Sequence, residues 1–327
     1  MAQIQEIFEG FKHLNVLILG DVMVDEYYVG EVTRISPEAP VPVVSVKKRE
    51  RRLGGAANVA LNIKALGANP ILCAVRGNDP EGEWLYNQLS EVALENEGII
   101  VDRKRPTTIK TRVIGNDKQL LRVDQEDCTE VDSDIEKHAL DFVKSILTGI
   151  DVVIFQDYNK GFLTKKLIGS VIKLCNKEDI PTLVDPKIEH FFDYKGVTLF
   201  KPNKKEIIDG LQLQSELSTK TEIESAIQLL AKKLDIKQVL LTLSEMGVAI
   251  LENEQVVFID AHKRKIADVS GAGDSVISVA ALAVGSKMPW TSVAGLSNLA
   301  GGLVCEKIGV VAIDKTRLLD EALRVGL

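Results

Sequence analysis

The sequence predicts an α/β protein: a doubly wound, mostly parallel sheet flanked by helices, with a small β-sheet lid. Three observations predict it: short apolar runs that end near Gly or Asp, helical stretches between those runs, and two strand-like insertions that break the alternation. The first run, Asn15–Gly20, is apolar through its middle, as a parallel strand buried on both faces is. Similar runs follow at Ile71–Val75, Val152–Phe155, Thr182–Val184, Val197–Phe200 and Val239–Thr242. Between them, Ala56–Leu66, Glu81–Leu94, Ile135–Leu147, Lys165–Asn176 and Glu222–Leu234 carry helical periodicity. That alternation argues for βαβ units and a sheet covered on both sides. The last hundred residues begin with strand-like Val248–Leu251 and Gln255–Ile259. They then turn helical at Ser275–Val284, Ser292–Lys307 and Lys315–Arg324.

The insertions lie at about 22–50 and 100–125. Their strand-like pieces, Val41–Val46, Thr108–Ile114 and Gln119–Val123, mix apolar with polar positions. A half-exposed sheet accounts for this pattern, and structureless insertions of that length are uncommon. The expectation is one domain over residues 1–327, with both insertions joined in a lid at one end of the sheet.

Composition narrows the function classes. With 40 Lys and Arg against 47 Asp and Glu, the charge of −7 leaves no basic excess for nucleic acid, and 5% aromatic residues supply no stacking set. Hydrophobic residues at 45% exclude a disordered chain. Cys73, Cys128, Cys175 and Cys305 form no CxxC pair, and no His pair stands at i, i+4, so the cysteines read as reduced small hydrophobes. Met1–Gly20 carries Glu6 and Glu9 in a helical rhythm and does not read as a signal peptide. No apolar run reaches the roughly 18–20 residues that span a bilayer. A cytoplasmic protein without membrane or nucleic-acid partners is expected.

The strongest local signal is Asp268-Val269-Ser270-Gly271-Ala272-Gly273-Asp274-Ser275 before an apolar helix. Small residues let free amides at a helix N-terminus face an anion. Asp274 can simply cap that helix. Alternatively it is a base beside a transferred phosphoryl group held by the amides of Gly271, Ala272 and Gly273. A second cluster, Gly54-Gly55-Ala56-Ala57-Asn58, also opens a helix. It reads either as a tight loop packed on the sheet or as a place where backbone and one amide meet a polyhydroxylated ligand. Asp21 and Asp25 follow the first strand, at the carboxyl edge where open α/β sheets bind ligands. GxxxxGK[ST], GxGxxG and GxSxG motifs are missing.

These two clusters, in this order, resemble the two signatures of the PfkB/ribokinase family of sugar kinases. Lys201-Pro202-Asn203-Lys204-Lys205-Glu206 is similar to the family's Asn-x-x-Glu motif, and Thr242-Leu243-Ser244-Glu245-Met246-Gly247 to its nucleotide loop. One branch stands out. Gly20-Asp21-Val22-Met23-Val24-Asp25, the stretch Arg34–Val44, Asp157-Tyr158-Asn159-Lys160-Gly161 and Asp185-Pro186-Lys187 look like the kinase half of heptose-phosphate enzymes. Those enzymes phosphorylate O1 of D-glycero-β-D-manno-heptose 7-phosphate on the way to ADP-heptose, a lipopolysaccharide core precursor. Many add an adenylyltransferase domain. With this chain ending at Leu327, only the kinase step is expected of it.

The resemblance implies a ribokinase-like fold, ATP and Mg²⁺. It implies Asp274 as the base and Gly271, Ala272 and Gly273 as the anion hole. Asn203 and Glu206 would organise Mg²⁺ and the ATP phosphates, acting through water, beside Lys204 and Lys205; the plain alternative is an Asn-capped helix start. Thr242, Ser244 and Gly247 would line the nucleotide loop, with Ser244 where many members carry glycine. Asp21, Asp25, Gly54, Gly55 and Asn58 would bind the sugar. Lys160 and Lys187 are preferred for its 7-phosphate over Arg34, Lys110, Arg112 and Arg122, each of which reads singly as a solvated charge. Asp268, with Glu306–Val310, would hold a monovalent cation such as potassium. A homodimer pairing lid against lid is expected, because exposed strand edges need cover. The rival readings are another sugar or sugar-phosphate kinase, or a silent sugar-phosphate sensor.

Overall fold

The computed structural model describes residues 2–327. α1 (Ala2–Gly10) leads into β1 (Asn15–Gly20), and a long hairpin follows, β2 (Val22–Ile35) and β3 (Pro42–Gly55). Next come α2 (Ala56–Ala65), β4 (Asn69–Gly77), α3 (Pro80–Glu91), β5 (Ile99–Asp102) and a second hairpin, β6 (Ile109–Gly115) and β7 (Lys118–Gln125). The chain continues through α4 (Ser133–Ile146), β8 (Val152–Gln156), α5 (Lys165–Lys177), β9 (Thr182–Asp185), β10 (Leu199–Phe200), α6 (Lys204–Leu211) and α7 (Lys220–Leu234). It closes with β11 (Gln238–Thr242), β12 (Val248–Glu252), β13 (Gln255–Ile259), α8 (Ala272–Gly285), α9 (Trp290–Val304) and α10 (Lys315–Val325).

Nine strands form the large sheet in the order β13-β12-β11-β10-β9-β8-β1-β4-β5. It is parallel except at β12 and β13, which turn back antiparallel. Alternate residues of its strands point to opposite faces. Val16, Ile18, Ile154, Leu183 and Leu240 pack with α1, α2, α8, α9 and α10. Leu17, Leu19, Phe155, Val184 and Leu241 pack with α4, α5, α6 and α7. Each such side chain is buried, and full burial contributes roughly 1.5–3 kcal/mol. From β1 the chain moves outward to β4 and β5, then returns to add β8 on the other side of β1. The strand order therefore reverses between β1 and β8, and the crevice above that point is where such sheets bind ligands.

A second sheet, β3-β2-β6-β7, stands beyond the carboxyl ends of the large one. Its first hairpin is longer than the apolar pattern suggests. β3 runs through the charged stretch Lys47–Arg52 to Gly55, where Gly54 and Gly55 pair with Met23 and Val22. Hydrophobic alternation is replaced there by cross-strand ion pairs: Glu26 accepts from Arg49 at 2.7 Å and from Arg51 at 2.8 Å. Ile99–Asp102, at the start of the second insertion, pairs instead with β4 at the edge of the large sheet. All four cysteines are free, with Cys128 exposed and the other three buried. Among the described residues, no helix is long and apolar enough to cross a membrane.

Candidate active site

α8 starts without a side-chain cap. Gly271, at φ 79°, occupies the left-handed region that an L side chain adopts at a cost, and it turns the chain into the helix. Ala272 N–H bonds Val269 O at 3.2 Å, and the helical ladder begins with Ser275 N–H to Gly271 O at 3.0 Å. The amides of Gly273 and Asp274 are thus left at the positive end of a helix.

Asp274 sits in that first turn, 4% exposed. Asn58 Nδ2 donates to its Oδ2 at 2.7 Å, while Tyr158 OH and Gln156 Nε2 donate to Oδ1 at 2.8 and 3.1 Å. Burial pushes the Asp274 carboxyl up to about 6; the Asn58 and Tyr158 bonds pull the other way, and the charges of Asp185 and Asp25 add to the rise. The group is still mostly ionised at neutral pH and is a stronger base than an ordinary Asp. Tyr158 stays a donor, since burial and the neighbouring Asp274 and Asp185 charges hold its phenol well above its ordinary range.

On the β1 side, Asp21 accepts the backbone N–H groups of Tyr158 and Lys160 on one oxygen, at 2.9 and 3.1 Å. Its other oxygen is buried with no hydrogen-bond partner among the described residues. Burial, and then the Asp157 charge, raises Asp21 to about 6. Asp25, on β2, pairs with Arg112 Nη1 at 2.5 Å. A Cβ at Gly54 would overlap the Asp25 carboxylate, so that position requires glycine. The Asn58 amide, expected on sugar, is bonded to Asp274 instead and is braced by Asn62 Nδ2 on Asn58 O at 2.9 Å.

A cavity of about 620 Å³ opens on the other side of the first turn of α8, lined by Thr242, Ser244, Gly247, Val276, Asn298 and Gly302 among others. Ser244 has φ 53°, which is why glycine suits this loop position. Asn203 caps α6: its Oδ1 accepts Glu206 N–H at 2.8 Å, and Glu206 Oε2 accepts Asn203 N–H at 2.9 Å. The second Glu206 oxygen is paired with Lys187 Nζ. Lys204 is half-buried at the helix start, and Lys205 is exposed and paired with Asp209. Asp268 accepts Ser270 N–H at 2.9 Å and Gly309 N–H at 2.8 Å, tying the loop before α8 to the segment after α9. Lys160 Nζ pairs with Glu126 at 2.9 Å, and Arg34 is exposed far along β2, opposite Val43.

Four residues of the site carry roles that sequence reasoning did not give them. Gln156 and Tyr158 hold Asp274, and buried Lys201 pairs with Asp185 at 2.9 Å, close beside Gly273. The available signals were a polar residue ending an apolar strand run and two short motifs quoted only for their resemblance. Among the described residues, no group of three or more His, Cys, Asp or Glu side chains forms a metal cage.

A buried carboxylate at an amide-rich helix end, beside a cavity of about 620 Å³, is an arrangement that suits a phosphotransferase acting on a hydroxyl. The pfkB family carbohydrate kinase model matches residues 14–317, and the chain belongs to that family of ATP-dependent sugar kinases. The protein named Bifunctional protein HldE of Desulfatibacillum aliphaticivorans is 39% identical over 311 residues, covering 94% of this chain and 63% of that protein. Its namesake in Helicobacter pylori (strain J99) is 38% identical over 295 residues, covering 90% and 63%. The chain thus spans about 63% of the length of these relatives. The fold matches Escherichia coli phosphofructokinase-2 in complex with potassium, with TM-score 0.79, 18% identity and coverage of 96% and 99%. It also matches Arabidopsis thaliana ribokinase complexed with ribose and ATP, with TM-score 0.72, 17% identity and coverage of 94% and 98%.

Proposed function

We propose that the chain transfers the γ-phosphoryl group of ATP to O1 of D-glycero-β-D-manno-heptose 7-phosphate, giving the 1,7-bisphosphate on the route to ADP-heptose. The observation that carries the reading is the placement of Asp274, buried and held by three donors, between the Asp21 carboxylate and the nucleotide cavity. The sugar is oriented by Asp21, Asp25 and Asn58, with Gly54 and Gly55 allowing close backbone approach. Asn58 exchanges its Asp274 bond for a sugar hydroxyl as the ligand enters. Asp274 accepts the proton of the attacking hydroxyl, and the Gly271–Gly273 turn neutralises charge on the moving group. Thr242, Ser244 and Gly247 border the nucleotide, and Lys204 and Lys205 flank its phosphates.

Glu206 spends one oxygen on Lys187 and the other on Asn203 N–H. The pair therefore suits an ion that keeps its water shell, as Mg²⁺ usually does. When bound, Mg²⁺ would neutralise the triphosphate charge. Asp268 and the Glu306–Val310 segment would hold a monovalent cation, potassium, near the anion hole. The reading also takes the small sheet as a lid over the sugar, excluding water that would compete as acceptor. Ile35, Val46, Leu121 and Val123 are exposed apolar residues of that sheet, which supports a homodimer joined lid to lid. An ADP-release assay over heptose 7-phosphate, fructose phosphates and ribose tests the acceptor. Heptose 7-phosphate is expected to have the highest kcat/KM; a preference for another sugar by tenfold or more, about 1.4 kcal/mol, would replace it. Binding of ATP and sugar phosphate without ADP release would favour the sensor reading.

A further inference from the structure

Side chains two residues apart on a strand share a face of its sheet, and so do directly paired residues. Asp25 and Tyr27 of β2 therefore share a face with Arg52, which pairs with Asp25, and with Arg112, which pairs with Tyr27. Tyr27 is buried between the two cations. Its ring lies 5.0 Å from the Arg52 guanidinium and 5.4 Å from that of Arg112, which also holds Asp25. Arg52 in turn reaches out of the small sheet. Its Nη1 donates to Val310 O at 3.0 Å, across 258 positions of sequence, while Nη2 donates to Glu50 at 3.0 Å.

The segment that Arg52 holds is packed on the start of α8. Gly309 N–H donates to one oxygen of Asp268 at 2.8 Å, and Ser270 N–H to the other at 2.9 Å. Val310 closes over Gly271, where a Cβ would stand 3.5 Å from Val310 Cγ1. From the opposite side, a Cβ at Gly309 would stand 2.5 Å from Arg52 Nη1 and 3.6 Å from Tyr27 OH. Residues 305–314 lie outside any helix or strand. Side chains, rather than a backbone ladder, therefore take up the Gly309 N–H and the Val310 carbonyl.

We propose that Arg52 is a positioning residue for phosphoryl transfer: from the small sheet it clamps Gly309–Val310 and so fixes the Asp268–Gly271 turn that leads into the anion hole. The clamp rests on the sugar-kinase reading and adds that the anion hole is fully set only while the small sheet is seated. A sugar that engages Asp25 bears on Arg112 and Tyr27, and through them on Arg52. ATP bound without sugar meets a looser turn, which limits transfer to water.

The test measures phosphoryl transfer to the wild type's preferred sugar in Arg52→Ala, Arg52→Lys, Asp268→Asn and the Arg52→Ala/Asp268→Asn double variant. Arg52→Ala is expected to lower kcat roughly ten- to hundredfold, with KM for ATP and for sugar changed by less than about threefold. Arg52→Lys keeps a donor for Val310 O and should recover most of the loss. Because both residues act on one turn, the double variant should be no slower than the slower single one. Losses that multiply in the double variant, or an Arg52→Ala loss confined to KM for sugar, would overturn the clamp. Amide hydrogen exchange reads the same contact without catalysis. Arg52→Ala should speed exchange across residues 268–273 and 306–311 while β8 and β9 stay protected; faster exchange in the small sheet alone would overturn the clamp. Arg52→Gln, too short to span to Val310 O, gives the same readings if Arg52→Ala does not fold. If no sugar elicits ADP release from the wild type but exchange changes as expected, the clamp stands and the kinase reading falls.

Discussion

The two halves of the active site are built on different principles. The proposed sugar side is a closed set of charged and amide side chains that bind one another or the backbone: Asp25 with Arg112, Asp274 with Asn58, and Asp21 with the turn after β8. The proposed nucleotide side is an open cavity in which Gly247, Ala272, Gly273, Gly301 and Gly302 stand among larger side chains such as His262, Arg264 and Ile266. A site of paired charges selects its ligand by which bonds the ligand can replace. An open cavity selects by the shape it leaves and the few groups that line it.

The largest expected effect falls where the two sides meet. Asp274→Asn should lower kcat by about 10²–10⁴ while nucleotide affinity, which the cavity supplies, stays near wild type. The same variant should also change how stability depends on pH. Asp274 moves from 3.8 unfolded to about 6 folded, so the folded state binds more protons between those values and stability falls as pH rises through that window. The variant lacks that pH-dependent loss, so the Tm difference between variant and wild type should move in the variant's favour as pH rises from about 4 to about 7.

A change confined to the nucleotide side sharpens the contrast. Gly302→Val would press on Arg264 in the cavity wall. A cost of about 1–3 kcal/mol is expected for such overpacking, seen as a raised KM for ATP with the KM for sugar unchanged. Comparable rises in both constants would mean that the halves are not separable. Smaller still, Tyr158→Phe removes a bond that lowers Asp274. The acidic limb of kcat should then move to higher pH by about one unit, the equivalent of roughly 1.4 kcal/mol. The smallest effect is Ser244→Gly, which relieves a left-handed serine by at most about 1 kcal/mol and should shift Tm upward slightly without changing the sugar kinetics.

This division also explains what was legible in the sequence. The helix start at Gly271–Asp274 was legible as either an anion site or a plain cap, and the loop Thr242–Gly247 only through its resemblance to a family motif. The large sheet was legible because strands such as Asn15–Gly20 and Val152–Gln156 are apolar on both faces. The sugar side was legible as the Gly54–Asn58 cluster with Asp21 and Asp25 nearby, but not in its pairings. That Arg112 belongs to Asp25, or Tyr158 to Asp274, depends on bringing residues 87 and 116 positions apart together, which no local pattern encodes. The charged strand Lys47–Arg52 escaped notice likewise, since its partners lie on the facing strand.

The most direct measurement is the single-turnover rate of phosphoryl transfer to heptose 7-phosphate as a function of pH, in wild type and Asp274→Asn. A wild-type rate that climbs roughly tenfold per pH unit up to about pH 6 and then levels, with no such limb in the slow variant, is the predicted result. A rate that is flat from about pH 5 to 8 in the wild type, or a variant that turns over at near wild-type speed, would contradict Asp274 as the base.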